Sequence, residues 1–427
     1  MIKNKIFKNA SWIIGCRILQ AIFSLVITML TARILGPDNY GLINYAASIV
    51  AFVLPIMQLG LNSILVMELV NSPNDEGEIL GSSITMSVCS AFLSIAGVIS
   101  FAFVANRNET ETIIVCALYS ILLVFQSLDL IQYWFQAKYL SKYTAVTTLV
   151  ASILVSAYKV FLLITSKSIF WFALIYAIDY FIISVTLIII YKRLGGKRLR
   201  FSAKRCVDLF KKSRYYMLSS FMIAVFAQTD KIMLKLLVGS EATGFYTAAF
   251  TCATITTFVF AAIIDSFRPS IIEAKALSEK SFETGMTRLY SIIIYLSIAQ
   301  GVGITIFAKL MINILYGAEY LPAVTALQLV IWFTVFSYIG SARNVWILAE
   351  EKQKYLWIIN LLGAAVNIVV NYFAITAWGI MGAAFSTVVT QFFTNVLLGF
   401  IIKPIRKSNI LMLKALNPKN LLDIIKK

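Results

Sequence analysis

The sequence predicts an all-α polytopic membrane protein with about twelve transmembrane helices. Of the 427 residues, 60% are hydrophobic and only 13% are charged, and the mean hydropathy is +0.84. A soluble domain usually has about 25% charged residues. Apolar runs of ~20 residues, enough to cross a bilayer as a helix, recur along the whole chain. The runs are long and continuous, which favours helices over the ~10-residue alternating strands of a membrane β-barrel.

The predicted spans form two groups of six, separated by a basic stretch that contains KRLGGKRLR and KKSR. We therefore predict an N-terminal six-helix lobe, a basic cytoplasmic linker, a C-terminal six-helix lobe and a cytoplasmic amphipathic tail expected to lie on the inner leaflet. These four parts cover 1–191, 192–214, 215–402 and 403–427. The spans are 11–32, 42–68, 79–105, 112–136, 144–165 and 169–191, then 215–238, 245–267, 289–315, 322–349, 355–377 and 379–402.

An internal repeat relates the two halves. RILGPDNYGLINYAA after the first span aligns with LLVGSEATGFYTAAF after the seventh, so that Gly36 matches Gly239 at an offset of 203 residues (239 − 36). Gly36-Pro37-Asp38 is a turn signal, because glycine tolerates positive φ and proline presets φ. An even number of helices per half predicts a parallel repeat about an axis along the membrane normal. Two pseudo-symmetric bundles with a cleft between them are typical of alternating-access transporters.

Basic residues lie mainly on one side of the predicted membrane. The net charge is +17, and Lys and Arg cluster at the N-terminus, in the linker and in the tail. The opposite side has only Arg33, Arg107, Lys167 and Lys309. This asymmetry predicts that both termini are cytoplasmic. Topology and attraction to anionic lipid headgroups account for the basic excess, so we expect no nucleic-acid partner.

Several chemistries are not supported by the residues. The chain has no histidine, and its five cysteines are scattered, with no CxxC pair. A zinc cluster and a disulfide framework are therefore not expected. There is no P-loop, no HExxH and no triad spacing, and the predicted outer loops are too short for a polymerase or glycosyltransferase site. We predict that the protein is not an enzyme and binds no metal or organic cofactor.

Ionisable residues within the predicted spans mark the candidate site. Such a residue costs ~2.5–3.5 kcal/mol on insertion scales and normally faces a bundle interior or water. With Glu68 at a span end and Lys309 on the outer side set aside, five bases lie within spans, against four acids. Since they cannot all pair, some bases are expected to face a hydrated cavity that suits an anionic cargo. The bases are Arg17, Lys159, Lys231, Lys235 and Arg343, and the acids are Asp129, Asp179, Asp230 and Asp265.

Amides extend the candidate site along helix faces. Helical spacing places Gln58 and Asn62 on one face of the second span, and Gln126 with Asp129 on one face of the fourth. A further stripe of asparagines in the eleventh span is expected to bridge packed helices. The four acids could either pair with the bases or titrate, and in the second case one of them would couple transport to H⁺ or Na⁺.

Six segments carry a resemblance to a known family. Together they span nearly the whole chain in the order of the bacterial polysaccharide-repeat (O-antigen type) flippases, which the chain resembles. These flippases belong to the multidrug/oligosaccharidyl-lipid/polysaccharide (MOP) exporter superfamily. The segments are RILGPDNYG at 33–41, TDKIMLKLLVGSEATGFYTAA at 229–249, Phe267-Arg268-Pro269, ILYGAEYLPAVTALQLV at 314–330, LAEEKQKYLWIINLLGAAVNIVVNYF at 348–373 and WGIMGAAFST at 378–387.

The resemblance implies two six-helix lobes around a central cavity, as in the multidrug (MATE) members of the superfamily. The implied activity is translocation of an undecaprenyl-pyrophosphate-linked oligosaccharide across the bacterial plasma membrane for O-antigen or capsule assembly. Expected partners are this lipid-linked oligosaccharide, anionic lipids, a polysaccharide polymerase and chain-length proteins. We expect Arg17, Lys231, Lys235 and Arg343 to bind the pyrophosphate. We expect Gln58, Asn62, Gln126, Asp129, Asp179 and Asp230 to face the sugars or to couple transport.

Two alternatives within the superfamily remain open. A peptidoglycan-precursor flippase usually has fourteen spans, and an arginine in the first helix of its cavity resembles Arg17. A drug/cation antiporter has a similar twelve-helix plan, but its cavity generally favours carboxylates, whereas bases form the majority within the spans of this chain.

Overall fold

A computed structural model describes the backbone of residues 2–418 and the side chains of residue 20 and residues 23–418. Over this range the protein is helical, without β-strands. It divides into two compact units, Met1–Gln228 and Thr229–Lys427.

The N-terminal unit begins with a long helix that is broken at Gly36. This glycine has φ 74° and ψ 168°, a conformation that costs glycine little, and Pro37 follows it at the start of the second leg. The two legs of this helix correspond to the first two predicted spans. The helices of the unit are α1 (Ile2–Met57), α2 (Leu65–Asn71), α3 (Glu76–Ala105), α4 (Thr110–Ala137), α5 (Ser141–Ile164) and α6 (Ile169–Arg193).

The C-terminal unit begins within a helix, because the boundary between the units falls inside α7 (Ala203–Leu237). The helices that follow are α8 (Ser240–Leu277), α9 (Glu279–Leu315), α10 (Ala323–Ala349), α11 (Leu356–Trp378), α12 (Ile380–Ile401) and α13 (Arg406–Ala415). A π-helical turn, Phe393–Leu397, interrupts α12.

Eleven helices in the described part of the chain are long and apolar enough to cross a membrane. The first of them, Phe23–Met57, contains residues of both legs of α1. Large apolar side chains such as Leu93, Phe103 and Ile164 are exposed, as expected of helices that face lipid rather than water. The predicted all-α, multi-pass membrane fold is therefore confirmed.

Each unit has a core of its own. In the N-terminal unit, Ile79 of α3, Phe135 of α4 and Leu187 of α6 are fully buried in one apolar cluster. In the C-terminal unit, Met286 of α9 and Trp346 of α10 lie in a second cluster. These cores fix the helices that carry the polar residues described below.

The predicted linker is ordered against the N-terminal unit. Its extended part follows α6 and pairs with the start of α3, where the Arg200 N–H donates to the Gly77 carbonyl at 3.0 Å and the Ser202 N–H to Ser82 Oγ at 3.0 Å. A Cβ on Gly81 would lie 2.3 Å from the Arg200 carbonyl oxygen, so this close approach requires glycine. From Ala203 onward the linker is helical and forms the start of α7.

The tail contains the helix α13, whose apolar side packs on the protein. Leu411 and Met412 are buried in the core of the C-terminal unit, and the Tyr290 and Ser408 hydroxyls lie 2.6 Å apart. Ile410 and Leu413 of the same helix are exposed. The position of the tail on the inner leaflet stays a prediction. Residues 419–427 of the predicted tail lie outside the described residues.

Candidate functional site

The N-terminal unit contains a polar cavity of about 310 Å³, which we call the polar pocket. Residues of α1, α4, α5 and α6 line it, together with Gln58 just after α1. Its polar lining consists of four glutamines, two aspartates, two tyrosines and a threonine. These are Gln20, Gln58, Gln126, Gln132, Asp129, Asp179, Tyr133, Tyr180 and Thr148, and Leu130 and Ile183 complete the wall.

A change of helix type in α4 positions part of this lining. The 3₁₀ turn Asp129–Ile131 separates two α-helical pieces of α4. In a 3₁₀ turn, residues three apart point the same way, which brings residues 129 and 132 together. The Gln132 amide donates to Asp129 Oδ2 at 2.6 Å. The turn therefore presents a carboxylate and an amide side by side.

Two acceptor atoms of the pocket lining are buried without a partner in the described part of the chain. The Gln126 amide donates to the Tyr180 hydroxyl at 3.1 Å, which leaves Gln126 Oε1 buried with no partner among the described residues. Asp179 Oδ1 is also buried and unpartnered within that range. Buried polar atoms in native proteins normally have a partner, supplied by protein, water or ligand. The arrangement suits a ligand that donates hydrogen bonds.

A second, smaller pocket of about 40 Å³ lies in the same unit around Lys159 of α5. The ammonium lies 4.7 Å from the centre of the Tyr176 ring, a cation–π distance. Hydroxyls of Thr28 and Thr31 and the amide of Asn44 also line this space. It has room for only a few water molecules. It is therefore too small for a sugar.

In the C-terminal unit, Asp230 of α7 is the centre of a buried hydrogen-bond network. It is 7% exposed, and its Oδ1 accepts from the amides of Asn367 (3.0 Å) and Asn371 (2.5 Å) of α11. Its Oδ2 accepts from the hydroxyls of Tyr246 of α8 (2.9 Å) and Thr387 of α12 (2.6 Å). Four donors from three other helices thus converge on one carboxylate.

Lys231 and Lys235 both lie in the C-terminal half of α7. The Lys231 ammonium lies 5.7 Å from the centre of the Phe250 ring, and Phe250 stacks on Phe333 with centroids 5.2 Å apart. No ion pair of Lys231 is present within the part of the chain that the structure describes. Lys235 is buried.

Arg343 has a different environment from the cavity that the sequence predicts. It is 3% exposed, and its guanidinium donates to the carbonyls of Thr394 and Asn395, each at 3.1 Å, and to Asn395 Oδ1 at 3.0 Å. Both carbonyls belong to the π-helical turn in α12, where i→i+5 hydrogen bonds replace the i→i+4 bonds of an α-helix. Arg343 therefore stabilises this turn, and its two Nη groups are already engaged by the protein.

The structure brings together four of the residues that the sequence selects: Gln58, Gln126, Asp129 and Asp179 all line the polar pocket. Asn62 lies beside it and donates to Gln58 Oε1 at 3.2 Å. The side chain of Arg17 lies outside the described residues. The sequence reasoning missed Gln20, Gln132, Tyr133, Thr148 and Tyr180 as members of this site. Helical spacing from Arg17 to Gln20, and from Asp129 to Gln132 and Tyr133, was the available signal.

Comparisons with known proteins agree with this architecture. The sequence profile of the family described as polysaccharide biosynthesis proteins matches residues 6–275. A curated relative, an uncharacterized membrane protein of Methanocaldococcus jannaschii, is 25% identical over 229 residues, which are 51% of this chain and 45% of the relative. The match thus spans about half the length of that relative.

Several solved structures have the same fold. The lipid II flippase MurJ in an inward closed conformation gives a TM-score of 0.71 at 17% identity, over 95% of this chain and 90% of that one. An inward-facing multidrug resistance MATE transporter of the MOP superfamily gives 0.69 at 14% identity, over 91% and 94%. A MOP superfamily transporter from Pyrococcus furiosus gives 0.60 at 14% identity, over 95% and 96%. The predicted MOP-type fold is confirmed by these similarities.

Proposed function

The chain belongs to the family of polysaccharide biosynthesis proteins, and on this premise we propose that it is a flippase for a lipid-linked oligosaccharide. The proposed cargo is an undecaprenyl-pyrophosphate-linked repeat unit, moved from the inner to the outer face of a bacterial plasma membrane by alternating access. The product would supply assembly of a surface polysaccharide such as O-antigen or capsule. The proposed partners are anionic lipids and the polymerase and chain-length proteins of that assembly.

The observation that carries this proposal is the polar pocket inside a bundle of membrane helices. A repeat unit must carry its sugars across about 30 Å of hydrocarbon, where no water satisfies their hydroxyls. The pocket offers four amides, two phenols and two carboxylates in about 310 Å³. This volume lies at the lower end of the ~300–1,000 Å³ range of small-molecule sites. It would suit one sugar of the repeat unit at a time.

For the pyrophosphate we propose Lys231, Lys235 and Arg17 as the positively charged groups. Lys231 is the strongest candidate among the described side chains. Its ammonium lies near an aromatic ring and forms no ion pair within the described range. Arg343 is left out, because the carbonyls of α12 already engage its guanidinium.

For energy coupling we propose the buried carboxylates, with H⁺ or Na⁺ as the coupling ion. Asp129 and Asp179 lie in the polar pocket, where a bound cation would compete with cargo. Asp230 lies in a network of oxygen-bearing side chains, and protonation would remove the charge on which its four donors converge. Loss of cargo movement in Asp230→Asn with normal cargo binding would support coupling through Asp230.

The experiment that tests the proposed function is deletion of the gene in its native host. We expect lipid-linked repeat units to accumulate on the cytoplasmic face and surface polysaccharide to be lost, and the wild-type gene to restore both. A deletion strain with normal surface polysaccharide and no accumulated repeat unit would refute the proposal. Accumulation of peptidoglycan precursor instead would indicate that the protein is a peptidoglycan-precursor flippase.

One observation favours a second candidate, a drug/cation antiporter. The polar pocket has two carboxylates and no lysine or arginine among the lining residues that the structure describes. Such a pocket would also suit a cationic drug. Uptake of a fluorescent cationic dye discriminates between the two: an antiporter predicts raised dye accumulation in the deletion strain, whereas the proposed flippase predicts wild-type accumulation.

A further inference from the structure

The charge of the polar pocket is opposite to that of the phosphate end of the proposed cargo. Asp129 and Asp179 are its only ionisable side chains apart from two tyrosines, within the described lining. Neither aspartate forms an ion pair within 4.0 Å in the described part of the protein. A pyrophosphate would meet two like charges there. The group that this pocket selects must therefore be elsewhere on the cargo.

The hydrogen-bond partners of the pocket side chains indicate which chemical group of the cargo the pocket binds. Asp179 accepts no hydrogen bond from any described residue, and Asp129 accepts one, from Gln132. The amide of Gln126 uses its N–H on Tyr180 and presents its oxygen unpartnered. Three side chains thus offer acceptors. An ammonium group carries three donors, no acceptor and a positive charge, and its bonds to carboxylates are charge-assisted.

The size of the pocket leaves room for an ammonium on a larger body, which would compete there with the proposed coupling ion. A single cation occupies a small part of about 310 Å³. The structure contains no group of three or more His, Cys, Asp or Glu residues suited to a metal ion in its described range. Glutamine and tyrosine side chains fill the remaining wall, and these are groups that pair with sugar hydroxyls.

We infer that the polar pocket recognises an amino sugar with a free, unacetylated ammonium group, held between Asp129, Asp179 and the Gln126 oxygen. This inference rests on the proposed function and names the saccharide class of its cargo. It accounts for an acidic pocket in a member of a polysaccharide family. N-acetylation removes the charge and two of the three donors, so an acetylated sugar is discriminated against.

Calorimetric titration of the purified protein in lipid nanodiscs tests the inference, with glucosamine, N-acetylglucosamine, glucose and sodium chloride as probes at constant ionic strength. We expect glucosamine to bind at least tenfold more tightly than either other sugar. Asp179→Asn should reduce glucosamine affinity at least tenfold. Asp75→Asn is the matched control, because Asp75 lies just before α3, outside the pocket and the predicted spans. Its half-exposed side chain pairs with Arg205 at 2.9 Å, and the variant should bind as wild type does.

Three results would overturn the inference. They are equal binding of glucosamine and glucose, binding of sodium alone, and binding of no probe. The wild-type comparison of glucosamine with N-acetylglucosamine decides the question even if the Asp179 variant fails to fold. Chemical analysis of the repeat unit that accumulates in the deletion strain separates this inference from the proposed function. A repeat unit without a free amine contradicts the amino-sugar inference, whereas its accumulation still supports the flippase.

Discussion

Replacing Arg343 by methionine tests whether this arginine is structural or binds cargo. Methionine keeps much of the length of the side chain but removes all five N–H donors. The two carbonyls and the Asn395 amide oxygen that Arg343 engages would then lose their partner in a buried site. Each buried acceptor left unpaired costs about 1–3 kcal/mol. Removing a buried charge returns part of this cost, so we expect a net loss of about 2–4 kcal/mol.

The assay is thermal unfolding of the purified protein in detergent, followed by intrinsic fluorescence. A loss of 1 kcal/mol lowers Tm by about 2–4 °C in a unit of roughly 200 residues, so Arg343→Met should lower it by at least about 5 °C. Lys231→Met is the matched control, since it removes a second base within a membrane helix. The Lys231 ammonium lies 5.7 Å from the centre of the Phe250 ring, and this cation–π interaction is worth about 0.5–1 kcal/mol.

Equal Tm values for the two variants would refute the structural assignment of Arg343. So would a stable Arg343→Met protein that inserts normally but no longer supports surface polysaccharide, because that result is expected of a cargo-binding arginine. We expect the reverse pattern for Lys231→Met: normal stability, with loss of surface polysaccharide.

Three further predictions concern the linker, the buried network and the polar pocket. Gly81→Ala places a methyl group against the linker backbone and should lower Tm by several degrees, whereas Gly97→Ala on the same helix, with no atom within 4 Å of the new Cβ, should leave it unchanged or raise it. Asp230→Ala leaves the buried amides of Asn367 and Asn371 without their acceptor, whereas the Tyr246 and Thr387 hydroxyls can still bond to each other. The loss should be about 2–5 kcal/mol, seen as loss of folded protein on size-exclusion chromatography. Asp179→Asn should abolish surface polysaccharide at wild-type membrane levels on immunoblots, whereas Asp75→Asn should complement the deletion fully.

Hydrophobicity was sufficient to place most of the spans. The helices from α3 to α12 coincide with predicted runs, because an apolar run of this length must satisfy its own backbone within the membrane. It was not sufficient for the start of α7, where residues 203–214 are rich in Lys and Arg. A helix outside the hydrocarbon needs no apolar run, so hydropathy shows that stretch as a linker.

The polar pocket was only partly predictable, for a related reason. A polar residue in an apolar run is visible in the sequence, and Gln58, Gln126, Asp129 and Asp179 were selected in this way. Which of them meet depends on how α4 packs against α6 and on the 3₁₀ turn at Asp129. Neither the packing of α4 against α6 nor the 3₁₀ turn produces a periodic pattern in the sequence. Thr148 was missed because a threonine in an apolar helix most often bonds to its own backbone, as this one also does with the Thr144 carbonyl.

Counting acids against bases does not describe the surroundings of Arg343, because acids are not the only groups that stabilise a buried cation. The surplus of bases over acids predicts that some bases face water. Arg343 instead uses carbonyl and amide oxygens, and Lys159 and Lys231 lie near aromatic rings. Once these partners are counted, the surplus no longer requires a cationic cavity. The polar pocket, whose charged residues are two aspartates, is then compatible with the rest of the charge distribution.

The repeat extends further than the spans, and it includes the helix of the tail. The offset of 203 residues maps α13 onto residues 203–212 at the start of α7 (406 − 203 and 415 − 203). In the N-terminal unit, Arg205 pairs with Asp75 at 2.9 Å, beside the start of α3. In the C-terminal unit, Lys407 pairs with Glu283 at 2.9 Å, in the first turns of α9. Each unit therefore contains a basic helical segment near its C-terminal end, which contacts α3 in the first unit and α9 in the second. On this correspondence α13 is the second copy of that element.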